Sequence, residues 1–312
     1  MAMIRLGTRG SALAMAQSGT VASALAKSSG LDVELVPIST EGDRSAESLA
    51  TLGGTGVFVS ALREALLAGR CDVVVHSLKD LPTLPAEGLM IAAIPTRADA
   101  RDVLSSRDGI TLKDLPPGAR VGTGSPRRAA QLRARRPDIE VVDIRGNVDT
   151  RLAKVHGDTP SLDAVVLAAA GLARLGRLDA ITEYLGIDGW PTAPGQGALA
   201  VETRPDTTAP VRQSTASIDH KPTRLTVTAE REILRLLEAG CSAPIGAHAI
   251  VDDGMLFLSA RVYRPDGGEQ LTSAHALYLS DFPSAATAIA EKVASELLAL
   301  GAADLVPHGA IS

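Results

Sequence analysis

The chain of 312 residues has two cysteines, seven aromatic side chains (one Trp, three Tyr, three Phe) and no apolar run approaching the length of a membrane span. Two cysteines with no CxxC or Cys/His pairing argue against both a disulfide framework and a zinc site, and they suit a reducing cytoplasm. So few aromatic rings leave little on which nucleic acid bases could stack, and a net charge of -5 argues against a general polyanion binder. No basic segment followed by a long apolar stretch opens the chain, so neither secretion nor a membrane span is expected. The length exceeds one ordinary core and predicts two or three domains.

Within this acidic chain, arginine is concentrated between 127 and 151: Arg127, Arg128, Arg133, Arg135, Arg136, Arg145 and Arg151. The spacing predicts a strand at 120–123, an N-cap at Ser125 and Pro126 as the first helical residue, which puts Arg127 and Arg128 in a first helical turn. Cations beside the positive end of a helix cost roughly 0.3–1 kcal/mol each unless an anion sits with them. The pattern recurs at a strand at 141–144, a turn at Arg145-Gly146-Asn147 and a helix at 148–155 carrying Arg151. Two strand-to-helix turns thus offer arginines at carboxyl ends of strands, where open α/β sheets bind ligands. Arg133, Arg135 and Arg136 read as a solvated face.

Strands are expected at 4–6, 33–38, 72–75 and 90–94, separated by helices at 11–27 and 57–67. Further strands follow at 120–123, 141–144, 163–167 and 198–202. This alternation describes two α/β units with mostly parallel sheets. Gln17 is a polar residue on the apolar face of the first helix, either paired or facing a ligand. After about 214 the pattern changes to a helix reaching Ala239, strands at 247–251, 255–263 and 271–279 joined by Asp252-Asp253-Gly254 and Pro265-Asp266-Gly267-Gly268, and a helix at 284–300, a small α+β domain.

Two segments could carry chemistry. Val75-His76-Ser77-Leu78-Lys79-Asp80-Leu81-Pro82 follows a buried strand, so Lys79 can hold an acidic group and Asp80 can exchange a proton or face a developing cation. The same pair also fits a capped turn with a surface ion pair, and His76 reads as a satisfied histidine near a core. Cys71 fits the common role of a small buried hydrophobe. Cys241, in Ala239-Gly240-Cys241-Ser242-Ala243-Pro244, lies just beyond a helix expected to stop at Gly240. There the dipole disfavours a thiolate, and spacing leaves a reactive thiol and a buried one both open.

Taken in order, Leu6-Gly7-Thr8-Arg9-Gly10-Ser11-Ala12-Leu13-Ala14, the segment 75–82, Gly122-Thr123-Gly124-Ser125-Pro126-Arg127-Arg128, Ile144-Arg145-Gly146-Asn147-Val148-Asp149-Thr150-Arg151-Leu152, Ala170-Gly171-Leu172-Ala173-Arg174-Leu175-Gly176, Gly195-Gln196-Gly197-Ala198 and Ala239-Gly240-Cys241 resemble the motifs of the porphobilinogen deaminase (hydroxymethylbilane synthase) family over nearly the whole chain. The resemblance implies a transferase of tetrapyrrole (haem) biosynthesis. It would join four porphobilinogen molecules head to tail with loss of ammonia, releasing 1-hydroxymethylbilane by hydrolysis.

It further implies a dipyrromethane primer held by a thioether to Cys241, with Asp80 as the catalytic carboxylate. Arg9, Ser11, Lys79, Ser125, Arg127, Arg128, Arg145, Arg151 and Arg174 would bind the carboxylates of primer or substrate, Gln17 and Gln196 would be further pocket residues, and Phe58, Thr123 and Gly146 would also bind cofactor or substrate. The implied fold has two α/β domains like periplasmic binding proteins, at 1–96 with 196–214 and at 101–192, and an α+β domain with a three-stranded antiparallel sheet at 217–312 carrying Cys241. A cytoplasmic monomer without metal, nucleic acid or membrane partner is expected. The Gly-rich stretch at 49–58 resembles the family's mobile active-site loop, with Thr51 and Thr55 where some relatives have lysines. The alternative is a cytoplasmic binding protein for an acidic small molecule, which would leave the third domain surplus.

Overall fold

A computed structural model describes residues 3–38, 56–240 and 243–305, with residues 56–58 described as backbone alone. Cys241, Thr51 and Thr55 therefore lie outside the described residues, as does the side chain of Phe58. The chain forms two compact units, Met1–Ala98 with Ala198–Arg224 and Asp99–Gly197 with Leu225–Ser312.

In the first unit a five-stranded sheet runs in the order Asp32–Pro37, Met3–Thr8, Val73–Ser77, Leu199–Thr203, Met90–Ala93. The first three strands are parallel and Leu199–Thr203 is antiparallel to both its neighbours. Val73 and Val75 pack into one core with Val21 and Leu25 of the helix Ala12–Ser29, while Val74 joins Leu62 and Leu66 on the other face. A strand buried on both faces needs the continuous apolar run that the sequence has there. Cys71, fully buried beside Val74, is part of that second core. Burial pushes its thiol pKa up.

The second unit repeats the plan, in the order Glu140–Asp143, Arg120–Thr123, Ala164–Ala168, Asp102–Ser106, Glu183–Leu185. Here too three parallel strands are followed by one antiparallel strand in fourth place. Asp102–Ser106 and Glu183–Leu185 are strands beyond those expected, and both sheets are more mixed than the alternation suggested. Val166 faces Leu132 and Trp190, and Val165 and Leu167 face Leu152 and Val155. The same unit contains the antiparallel meander Ile245–Asp252, Met255–Tyr263, Gln270–Tyr278, covered by Ile289, Val293 and Leu297 of the helix Ala285–Ala299. Its first turn uses Asp253 (φ 43°) and Gly254 (φ 72°), the positive angles a tight hairpin requires.

The helix expected from about 214 to Ala239 is instead two, Ala209–Ser217 and Lys221–Leu236. Pro222 supplies no backbone donor, and the intervening residues are used elsewhere: the Asp219 carboxylate accepts from Ile94 N (2.7 Å) and His220 N donates to Ile94 O (2.9 Å). The second helix ends earlier than expected, with Glu238 (φ 50°) rather than Gly240 in the left-handed position. Glu238 N donates to Arg235 O and Ala239 N to Leu234 O, closing the last carbonyls.

Candidate active site

In the first unit the candidate residues follow two adjacent parallel strands. Arg9 and Ser11 follow Met3–Thr8, and the Ser11 hydroxyl caps its helix by accepting from Ala14 N (3.4 Å). Thr8 ties strand to helix, accepting from Ser18 Oγ (2.7 Å), and Gln17 is buried next to that contact. Lys79 and Asp80 occupy the short 3-10 turn Leu78–Asp80 immediately after Val73–Ser77. Leu78 N donates to Ala198 O (3.0 Å), so the antiparallel neighbour extends the ladder into the turn. Asp80 is half-buried, and among the described residues its carboxylate receives no hydrogen bond or ion pair. A carboxylate left without a protein partner is available to a substrate cation or proton.

Behind that turn lies His76, buried as expected, with Nε2 3.0 Å from Glu202 Oε2. Arg63 donates to the same carboxylate through Nε (3.0 Å) and Nη2 (2.8 Å). Burial works to raise the Glu202 pKa, but His76 and Arg63 together hold it at about 2.

In the second unit the two expected strand-to-helix turns form as spaced. Ser125 caps the helix Pro126–Arg135 by accepting from Arg128 N (3.4 Å), and Thr123 Oγ1 accepts from Ser125 N (3.2 Å). Asn147 caps the helix Val148–His156 through Thr150 N (2.8 Å), with Gly146 at φ 106°. The turns pack closely: a Cβ on Gly124 would stand 2.5 Å from Ile144 O. A hollow of about 250 Å³ opens beside them, lined in part by Thr123, Ser125, Arg133, Asp143 and Arg145.

Arg127 and Arg128 do lie in the first helical turn, but their anion is a protein residue that sequence reasoning missed. Asp102, fully buried at the start of its strand, accepts at Oδ1 from Arg128 Nε (3.1 Å) and Nη2 (2.6 Å) and from Gln196 Nε2 (2.8 Å). Its Oδ2 lies 2.8 Å from Arg127 Nη1 and accepts from Trp190 Nε1 (2.9 Å). Burial alone would raise the Asp102 pKa, and the two guanidinium charges override it and hold the carboxyl well below the usual range. Because its strand runs antiparallel, Asp102 pairs with Ala168 and sits at the carboxyl end of the parallel strands despite opening its own. The sequence signal was present only as an unmet need, two first-turn arginines lacking an anion.

The remaining arginines differ in their surroundings. Arg151 donates Nε to Gly146 O (2.8 Å), and its pKa is lowered by burial and then by the like charges of Arg128 and Arg145. Arg145 is exposed, 3.3 Å from the Asp143 carboxylate. Arg174 donates to Gly197 O (2.8 Å) and is likewise lowered by burial. Arg128 and Arg145 thus stand close enough for their charges to act on Arg151, an arrangement that an anionic ligand relieves. Arg133, Arg135 and Arg136 are more than a solvated face: they donate to Pro265 O, Gly189 O, and the carbonyls of Leu112, Lys113 and Leu115.

Residues 4–211 match the family model described as "Porphobilinogen deaminase, dipyromethane cofactor binding domain", and residues 224–299 match "Porphobilinogen deaminase, C-terminal domain". The chain is 59% identical over 313 residues to a porphobilinogen deaminase of Leifsonia xyli subsp. xyli, covering 97% of this chain and 94% of the relative. It is 53% identical over 311 residues to one of Thermobifida fusca, covering 98% and 96%. Among solved structures, a periplasmic substrate-binding protein of an ABC transporter from Coxiella burnetii superposes with a TM-score of 0.44 at 15% identity, covering 73% of this chain and 97% of that one.

Proposed function

This chain belongs to the porphobilinogen deaminase family, and on that premise we propose that it condenses four porphobilinogen molecules head to tail onto a dipyrromethane primer anchored at Cys241. Ammonia is lost at each addition, and hydrolysis releases 1-hydroxymethylbilane. The observation that carries this reading is the gathering of Arg128, Arg145 and Arg151 without a matching number of carboxylates among the described residues. Each pyrrole ring brings an acetate and a propionate, and the planar fork of arginine suits them.

The arginine cluster fits the primer: the charges of Arg128 and Arg145 both act on Arg151, such a gathering calls for a polyanion, and the primer is one. When bound, the primer supplies the nucleophilic carbon of its terminal pyrrole. Thr123, Ser125, Arg128, Arg145, Gly146, Arg151 and Arg174 hold the acidic groups of the primer and of the incoming substrate, with Arg127 and Gln196 supporting Arg128 from the buried side. Arg9, Ser11 and Lys79 add contacts to the carboxylates of the incoming substrate, with Gln17 and Phe58 as further substrate-binding residues. Asp80 hydrogen-bonds the substrate amino group, manages its proton as ammonia leaves, and stabilises the positive charge left on the ring. Cys241 is a tether and does not turn over; a thioether survives each cycle because carbon is not displaced from it by the later additions.

We assign the roles to three domains, at 1–96 with 196–214, at 101–192 and at 217–312, in a cytoplasmic monomer with no nucleic acid partner. No helix among the described residues is long and apolar enough to cross a membrane. Intact mass measurement tests the reading: the purified protein carries the mass of two linked pyrrole units, and Cys241→Ala lacks it. An active wild-type protein of unmodified mass overturns it.

A further inference from the structure

We propose that Asp102 is a positioning residue for the acidic ligand, acting through Arg128 and Gln196. The two arginines that share its carboxylate are not equivalent. Arg127 is buried and directs Nη1 to Pro191 O (2.9 Å) and Gln131 Oε1 (2.7 Å) as well as to Asp102. Gln131 is itself held by Pro191 O and Tyr263 Oη. Arg127 is therefore committed to the protein interior.

Arg128 is held differently. Its Nε and Nη2 bind Asp102, Nη2 also reaches Gln196 Oε1 (3.3 Å), and Nη1 donates to Val166 O (3.1 Å). One Nη1 hydrogen is left without an acceptor among the described residues, and the charge of Arg128 acts on Arg151. Asp102 also orients Gln196, whose Nε2 bridges Asp102 Oδ1 (2.8 Å) and Ala100 O (2.7 Å). One carboxylate thus fixes a ligand-facing arginine and an amide while neutralising an inward-facing arginine that would otherwise repel it.

Asp102 makes a prediction that simple charge counting reverses. Deleting its negative charge raises the positive field around Arg128 and Arg151, and on field alone an anion would bind more tightly. Positioning predicts the opposite, because a guanidinium freed from its fork no longer offers a fixed donor.

The inference rests on the proposed function for the identity of the ligand, so the test has two arms. In Asp102→Asn, the KM for porphobilinogen rises about tenfold or more while kcat at saturation changes far less. Independently of turnover, the emission of Trp190, the single tryptophan, is titrated with succinate against chloride at equal ionic strength. The apparent Kd of Asp102→Asn is higher than that of wild type by a similar factor. Trp190→Phe removes one hydrogen bond to Asp102 without altering its charge, and it lowers the thermal midpoint while leaving KM unchanged.

Should Asp102→Asn fail to fold, the double variant Arg127→Gln with Asp102→Asn preserves the net charge of the buried group and is read in the same way. Tighter or unchanged succinate binding in the folded variant, or a KM increase in Trp190→Phe equal to that of Asp102→Asn, overturns the proposal. A wild-type protein that binds succinate but does not consume porphobilinogen overturns the function and leaves the titration to judge Asp102.

Discussion

His76 Nε2 lies 3.0 Å from Glu202 Oε2 on a neighbouring antiparallel strand, two residues before the turn that carries Lys79 and Asp80. With Arg63 on the same carboxylate, the buried group joins the helix Gly56–Leu67 to both strands. The Glu202 pKa of about 2 is depressed from its ordinary value, so its stabilisation is present above the ordinary carboxylate range and lost as pH falls toward 2. The shift corresponds to about 3 kcal/mol at neutral pH. In Glu202→Gln, urea unfolding shows lower stability at pH 7 and a shallower decline between about pH 5 and 2.5 than wild type.

Asp80 has no protein partner to lose among the described residues. Asp80→Asn is therefore expected to keep the wild-type thermal midpoint while turnover of porphobilinogen falls about 10²- to 10⁴-fold. Normal tetrapyrrole formation by the folded variant contradicts its assigned role.

Arg151 is strained by burial and by its neighbours Arg128 and Arg145. Arg151→Gln relieves that repulsion, so the midpoint of the ligand-free protein holds or rises while KM for the acidic substrate increases about tenfold. A variant that loses stability and keeps its KM would reverse the assignment.

A methyl group at Gly124 meets Ile144 O at 2.5 Å, backbone against side chain with no flexible atom to yield, whereas one at Gly10 meets nothing within 4 Å. Gly124→Ala costs about 1–3 kcal/mol and lowers the thermal midpoint by several degrees. Gly10→Ala leaves it nearly unchanged, and the pair is compared by calorimetry.

Much of the candidate site was legible because its signals are local. Ser125 followed by Pro126, and Asn147 after Arg145-Gly146, are caps and turns whose geometry depends on a few adjacent residues, and both helices begin where those residues place them. The helix expected to reach Ala239 in one piece was misread because helical periodicity continues across 218–220, while Asp219 and His220 are taken up by Ile94, more than a hundred residues earlier. The strand opening at Asp102 was missed for a related reason: its pairing is antiparallel to strands that local alternation had described as parallel.

The amino-acid sequence by itself determined the class of protein, the alternating strands and helices, the placing of arginines at the carboxyl ends of strands, and the family motifs with Asp80 and Cys241 among them. Local propensity and covalent order suffice for these. Only the tertiary structure decided which arginines are spent on the protein and which remain for a ligand. That depends on a carboxylate 26 residues from Arg128 and an indole 88 residues from that carboxylate, brought together by burial in a low-dielectric interior, where an unpaired charge is too costly to leave and each must find its partner.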